Sequence, residues 1–263
     1  MTLSERQNAI VELIRREGYQ AIEALAEHFG VTPQTIRRDV NLLCEARLLR
    51  RLHGGAELLS GAENLPYDTR RITHLEAKRR IAERVRSLIP NHASLFIGIG
   101  TTLEQVALAL ADHDDLQVVT NNLNAAMALS TNRSHRIIVA GGKLRLPDRD
   151  LLGEEVEALF SGYKVDYGVF GVGGIDEDGT LLDFDPAEVR AREALMANCR
   201  KRLLVADATK FGRNATVRGG CITAIDGFIT DRPPPEPVAQ RLQAAGVKLE
   251  LAVTPEGEGV DVA

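Results

Sequence analysis

The sequence predicts an α/β chain in two parts: a small helical head closed by a hairpin, then a larger domain built on a parallel sheet. Three observations point there. Residues 1–58 hold three short apolar repeats of helical period, followed by a glycine turn between two short apolar runs. Beyond Pro90, near-continuous apolar runs alternate with helical segments, the pattern of strands buried on both faces. At 263 residues the chain is also long for one domain, since domains commonly hold about 100–200.

A first helix covers Arg6 to Arg16, with Ile10, Leu13 and Ile14 on one face, and Gly18 stops it. A second runs from Ile22 to Phe29, and Gly30 supplies the left-handed turn that commonly follows a helix. Thr32 is a good N-cap and Pro33 suits the first helical position, so a third helix runs to Ala46. Helix, glycine turn, helix is the helix-turn-helix pattern. At 100° per residue, Ile36, Val40 and Leu43 share a narrow inward wedge, and Thr35 and Arg37 flank it. Gln34, Arg38, Asn41 and Glu45 fall opposite. Arginine matches guanine and the amides match adenine, which suits a helix in a major groove, while Arg37 on the flank suits a phosphate. "RLLRRLHGGAELL" then reads as two strands around Gly54-Gly55, with Arg50, Arg51 and His53 on a basic wing.

Charge supports this assignment by its distribution. The net formal charge is −5, which alone does not favour nucleic acid. From Pro33 to Ala56, however, five arginines (37, 38, 47, 50 and 51) face only Asp39 and Glu45. Double-stranded DNA is therefore the expected partner of a winged helix-turn-helix spanning 1–58.

Residues 59–74, with Gly61 and Pro66, read as a linker, and a strongly basic helix covers Glu76 to Leu88. Its charge would lie near DNA or be solvated. The strands expected after Pro90 are "SLFIGIG", "LQVVTNN", "RIIVAGG", "VDYGVFGVGGI", "KRLLVAD", "AIDGFITD" and "VKLELAV", with helices between them. They compose a Rossmann-like parallel-sheet domain over 75–253, and "TPEGEGVDVA" gives 254–263 the composition of a disordered tail. Ligands of such sheets bind at the carboxyl ends of the strands. Gly100 with Thr101 and Thr102 opens a helix there and offers N–H groups and hydroxyls to an anion. Lys210 and Arg213 add positive charge, and Asn121, Asn122 and Asp176 could bond hydroxyls. A small phosphorylated polyol is the expected ligand. "GVGG" is not a full dinucleotide fingerprint, so a dinucleotide is not.

Other classes are weaker. Cys44, Cys199 and Cys221 are scattered and form no C-x-x-C pair, which argues against a disulfide framework and a zinc site. They read as buried apolar residues, and no metal or cofactor is expected. No apolar run is long enough to span a membrane, and the charged first twenty residues lack a signal-peptide centre, so a cytoplasmic location is expected.

"FGVTPQTIRRDVNLL" with "RRLHGGA" resembles the DNA-binding head of the DeoR family of bacterial repressors. "GIGTT", "TNN", "AGG", "GVGGIDEDG" and "DATKFGRNA" resemble that family's sensor domain, which is similar in fold to ribose-5-phosphate isomerase. The resemblance covers Glu5 to Val253 and implies a homo-oligomeric, non-enzymatic repressor. Through "LLDFDPAEVR", "DATKFGRNA" and "TDRPPPEPV" it further implies control of glycerol or glycerol-3-phosphate metabolism genes, relieved by glycerol-3-phosphate. By position it implies an effector site including Gly100, Thr101, Thr102, Asn121, Asn122, Gly173, Gly174, Asp176, Glu188 and Lys210, and DNA contacts from Thr32, Gln34, Thr35, Arg37, Arg38, Asn41, Arg50, Arg51 and His53. Gly98 stands where the family often has Asp, and Arg192-Glu193 where Lys-Arg is more usual, so other sugar phosphates stay open as effectors. A sugar-phosphate isomerase with a DNA-binding head, and a scaffold that no longer binds DNA, are the competing readings.

Overall fold

The computed structural model describes residues 3–46, 48–52, 54–58 and 65–252. Arg47, His53, the first half of the expected linker and the expected tail lie outside the described residues. Two compact units divide the chain, Met1–Leu75 and Glu76–Ala263.

In the first unit α1 (Glu5–Glu17) starts with a capping box in which Ser4 and Gln7 satisfy each other's backbone N–H groups. The C-cap Gly18 donates to the Ile14 carbonyl at 2.9 Å and ends the helix. A two-residue strand, β1 (Gln20–Ala21), precedes α2 (Ile22–His28). Helix α3 (Pro33–Glu45) begins as its residues dictate, with Thr32 Oγ1 accepting the Thr35 N–H and Pro33 at the first position. Strands β2 (Leu49–Leu52) and β3 (Gly55–Leu58) then form the hairpin. β1 pairs with the outer side of β3, an addition that periodicity does not announce. Gly55 is required there, because a Cβ would run into the Gln20 carbonyl oxygen of the paired strand. Ile10, Ile14, Leu25, Ile36, Val40, Leu43, Leu48 and Leu49 form the core, each contributing about 1.5–3 kcal/mol by burial.

One expectation is corrected here. The second half of the linker is not irregular: residues Tyr67–Ile72 form a helix, α4. Leu65 and Ile72 pack on the head's core, and Thr69 Oγ1 donates to the Ala46 carbonyl at the end of α3 at 2.6 Å. His74 follows with φ 50 and sits 3.2 Å from Glu12. Apolar anchors and a carbonyl left open at a helix end were enough to order a segment whose polar composition reads as loop.

The second unit begins with α5 (Leu75–Leu88) and then alternates β4 (Ser94–Ile97), α6 (Thr101–Leu110), β5 (Gln117–Thr120), α7 (Leu123–Leu129) and β6 (Arg136–Val139). A short hairpin of β7 (Leu144–Arg145) and β8 (Asp150–Leu151) leads to α8 (Glu154–Ser161) and β9 (Val165–Phe170). β10 (Gly174–Ile175), β11 (Thr180–Asp183), α9 (Pro186–Ala197) and β12 (Cys199–Val205) follow. The unit ends with β13 (Val217–Cys221), β14 (Gly227–Thr230), α10 (Glu236–Ala244) and β15 (Lys248–Leu251). The seven expected strands form one parallel sheet of order β15-β14-β12-β9-β4-β5-β6.

Alternation along each strand fills both faces. Leu95, Ile97, Val118, Val169 and Ile229 pack with residues of α5, α6 and α7, such as Ile81, Val106 and Leu129. Phe96, Val119, Phe170, Leu204 and Phe228 pack the other way, with Phe160, Leu195 and Leu242 of α8, α9 and α10. This double cover explains why the strands read as unbroken apolar runs. Of the cysteines, all free, Cys199 is buried while Cys44 and Cys221 are only partly so, a correction to uniform burial.

Candidate functional site

Strand order fixes where a ligand would enter. From β4 the chain adds β5 and β6 on one side, then crosses to add β9, β12, β14 and β15 on the other. The switch point is therefore between β4 and β9, and crevices form at the carboxyl ends of strands at such points. The loop after β4 is Gly98 to Gly100, and the loop after β9 is Gly171 to Gly173. They pack closely: Gly98 N–H donates to the Val169 carbonyl at 2.9 Å, and a Cβ on Gly171 would approach Leu103 of α6 to 3.1 Å.

Gly100, Thr101 and Thr102 occupy this point. Gly100 takes φ 114, a conformation that favours glycine, and α6 starts from it without a side-chain cap. The first N–H groups of a helix have no partner within it, so this end presents donors and the positive end of the helix dipole. Thr101 and Thr102 are buried.

Asn121 and Asn122, though adjacent, differ. Asn122 is committed to the fold: its Oδ1 accepts the Ala125 N–H as cap of α7, and its Nδ2 donates to the Gly98 carbonyl at 3.2 Å. Asn121 Nδ2 donates to the Leu151 carbonyl at 2.8 Å, while its buried Oδ1 has no partner among the described residues.

Glu188 meets a group that sequence reading passed over. Arg145, on β7, grips Asp150 with two hydrogen bonds of 2.9 and 2.8 Å and reaches Glu188 with a third nitrogen at 2.6 Å. Burial pushes the Glu188 carboxyl above its ordinary range; Arg145 opposes that shift, and Asp183 and Asp150 reinforce it. Burial also works against charge on Arg145, but Asp150 and then Glu188 outweigh it and hold the guanidinium firmly protonated.

Asp183, at the end of β11, accepts the Gly173 N–H at 2.7 Å and an ion pair from buried Arg192, which also donates to the Gly219 carbonyl at 2.7 Å. Arg192 therefore has a structural task at its unusual position. Arg213 donates to the Gly173 carbonyl at 3.2 Å and stacks on Phe184. Gly174 serves packing, since any Cβ there would run into the Arg213 carbonyl. Lys210 ends the short 3-10 turn after β12, half-buried. Asp176 stands apart at the exposed turn of the β10–β11 hairpin, the far end from Gly173, and accepts the Glu177 N–H. Three separate sets of contacts thus link Asn122 to Gly98, Arg145 to Asp150 and Glu188, and Asp183 to Gly173.

On the head, Gln34, Arg37, Arg38 and Asn41 are exposed, and Thr32 and Thr35 share a hydroxyl contact of 2.9 Å at the start of α3. Arg37 pairs with Glu23 at 3.2 Å, and Arg50 with Glu57 across the hairpin, while Arg51 is exposed. Asp39, by contrast, is buried.

A helix-turn-helix with an exposed Arg/Gln/Asn face, followed by a doubly covered parallel sheet, defines a DNA-binding transcriptional regulator with an α/β sensor. The family models agree: a DeoR-like helix-turn-helix domain matches residues 6–61 and the DeoR C terminal sensor domain matches 73–232. The chain belongs to the DeoR family. It is 48% identical over 95% of its length to the glycerol-3-phosphate regulon repressor of Escherichia coli (strain K12), all of which is covered. It is 45% identical over 95% of its length to the repressor of the same name from Haemophilus influenzae, covering 98% of that protein. Among solved structures, ribose 5-phosphate isomerase from Plasmodium falciparum is similar with a TM-score of 0.38 and 10% identity, over 52% of this chain and 53% of that one. The relatives are transcriptional repressors rather than enzymes, so the isomerase reading is set aside. Among the described residues no helix is long and apolar enough to cross a membrane, and no cluster of His, Cys, Asp and Glu is arranged to hold a metal.

Proposed function

We propose that this chain is a cytoplasmic repressor of glycerol and glycerol-3-phosphate metabolism genes, and that glycerol-3-phosphate releases it from operator DNA. Its likeness to the two repressors supports the choice of regulon. The observation that carries the effector reading is the uncapped start of α6 at the switch point. A phosphate there would accept from the Thr101 and Thr102 N–H groups and gain from the helix dipole. The ligand's hydroxyls would then find acceptors in Asn121 Oδ1 and the Glu188 carboxylate. Lys210 supplies positive charge at the end of β12.

On the DNA side, Arg38, Gln34 and Asn41 read base edges, and Arg37, Arg50 and Arg51 bind phosphates. Arg37 and Arg50 must exchange Glu23 and Glu57 for the backbone, which exposed ion pairs permit at little cost. Paired half-sites require at least a dimer. Effector binding in such an oligomer biases the placement of two heads, and the difference in affinity between the two states sets the coupling.

Calorimetric titration of glycerol-3-phosphate into the wild-type chain and a Thr102→Pro variant tests the effector site. Pro at the second helical position removes one N–H, so affinity should fall at least tenfold with the fold kept. Equal affinity in both proteins would contradict a phosphate at this helix end.

A further inference from the structure

Asp39 adjoins Arg38, yet its side chain is only 7% exposed and turned inward. Its Oδ2 accepts from Arg6 Nε at 2.7 Å, and its Oδ1 accepts from Gln7 Nε2 at 3.1 Å. Both partners lie in the first turn of α1. Gln7 is fixed in turn, because its Oε1 accepts the Ser4 N–H at 2.9 Å and its own N–H donates to Ser4 Oγ at 3.2 Å. One polar network thus joins the start of α1 to the middle of α3.

Adhesion is already supplied elsewhere: Ile36, Val40 and Leu43 of α3 are fully buried. The apolar wedge sets the rotation of α3 about its axis only coarsely, however, because apolar burial is non-directional. A carboxylate gripped by two donors from a fixed turn sets it finely. A buried ion pair is also poor evidence for net stability, since desolvation offsets attraction, and its best-attested use is registry. Base readers need their atoms held within about 0.5 Å.

We propose that Asp39 is a positioning residue for base reading: through Arg6 and Gln7 it fixes the rotation of α3 and so places Gln34, Arg38 and Asn41 against the base edges. This rests on α3 being the groove-reading helix.

The probes are the tightest duplex that the wild-type full-length chain recovers from a random library, and a scrambled duplex of equal length. Asp39→Ala should keep the wild-type far-UV spectrum and lose roughly 10–100-fold on the selected duplex, the size of a lost base contact. Affinity for the scrambled duplex should hold or rise, because one negative charge is gone. Gln7→Met, which removes one of the two grips, should lower the selected-to-scrambled ratio about threefold or more, and it stands as the test should Asp39→Ala fold poorly. An unchanged ratio in the folded variants, or an equal fall on both duplexes, overturns the proposal. Arg38→Ala, measured beside them, separates the premises. If it leaves the ratio intact, α3 is not the reader; if it alone lowers the ratio, only the role of Asp39 fails.

Discussion

Arg145→Ala isolates the charge cluster beside the switch point. The guanidinium makes three hydrogen bonds, two to Asp150 and one to Glu188, whose side chains are only 2% and 10% exposed. Removing it leaves the largely buried carboxylates of Asp150 and Glu188, and the neighbouring Asp148, without this cation. Breaking a buried pair in this way costs about 3–5 kcal/mol, and the partial exposure of Arg145 favours the lower figure, about 3. For a domain of this size each kcal/mol is worth about 2–4 °C, so the sensor should melt roughly 6–12 °C lower. The loss must also depend on pH. Without Arg145 the Asp150 and Glu188 carboxyls titrate higher when folded, so the penalty is greatest where they must be charged and shrinks as pH falls through those values. Thermal and urea unfolding between pH 5 and 8, followed by circular dichroism, measures both. A loss below about 1 kcal/mol, or one that does not vary with pH, would refute the view that this cluster is held together by its charges.

Arg38→Ala should weaken binding to the selected duplex by about 1–3 kcal/mol and spare a scrambled one, as read by fluorescence anisotropy. Asn122→Ala removes the cap of α7 and should destabilise the sensor by about 1–2 kcal/mol in urea unfolding, while calorimetric affinity for the effector in the folded variant changes little. Glu188 has a folded pKa above its ordinary value, so its contribution is full below 4.5 and is lost as pH rises through the folded value. Glu188→Gln should therefore gain stability relative to wild type as pH rises from 5 to 8. Operator affinity should fall by about 10³–10⁵ between 50 and 200 mM salt if six to ten phosphates are contacted.

The sheet was legible because burial on both faces turns each parallel strand into an apolar run, and the start of α3 was legible because Thr32 and Pro33 mark it locally. What escaped depends on distant partners. β1 has two residues, too few for periodicity, and exists because β3 offers an edge. α4 is ordered by the open Ala46 carbonyl and by apolar contacts to a core whose other members lie far away in the chain. Arg145 lies in a hydrophilic stretch, and its partner Glu188 is on an element that only the sheet topology brings near. In the sequence Asp39 is one negative charge among arginines. At 100° per residue it falls beside the wedge of Ile36, Val40 and Leu43, a signal that could have marked it as buried. Asn122 and Gly174 fall within motifs that suggest ligand contact, but helix capping and close packing occupy them.

The central claim, that a phosphorylated effector at the switch point governs DNA binding by the head, is tested most directly by release. The wild-type chain bound to its selected duplex is titrated with glycerol-3-phosphate, with fructose 1-phosphate and ribose 5-phosphate in parallel. Glycerol-3-phosphate should weaken the complex by about 5–150-fold, the usual range of allosteric coupling, at concentrations where the other two do not. Release by the other sugar phosphates alone, or by none of the three, would contradict control by this effector.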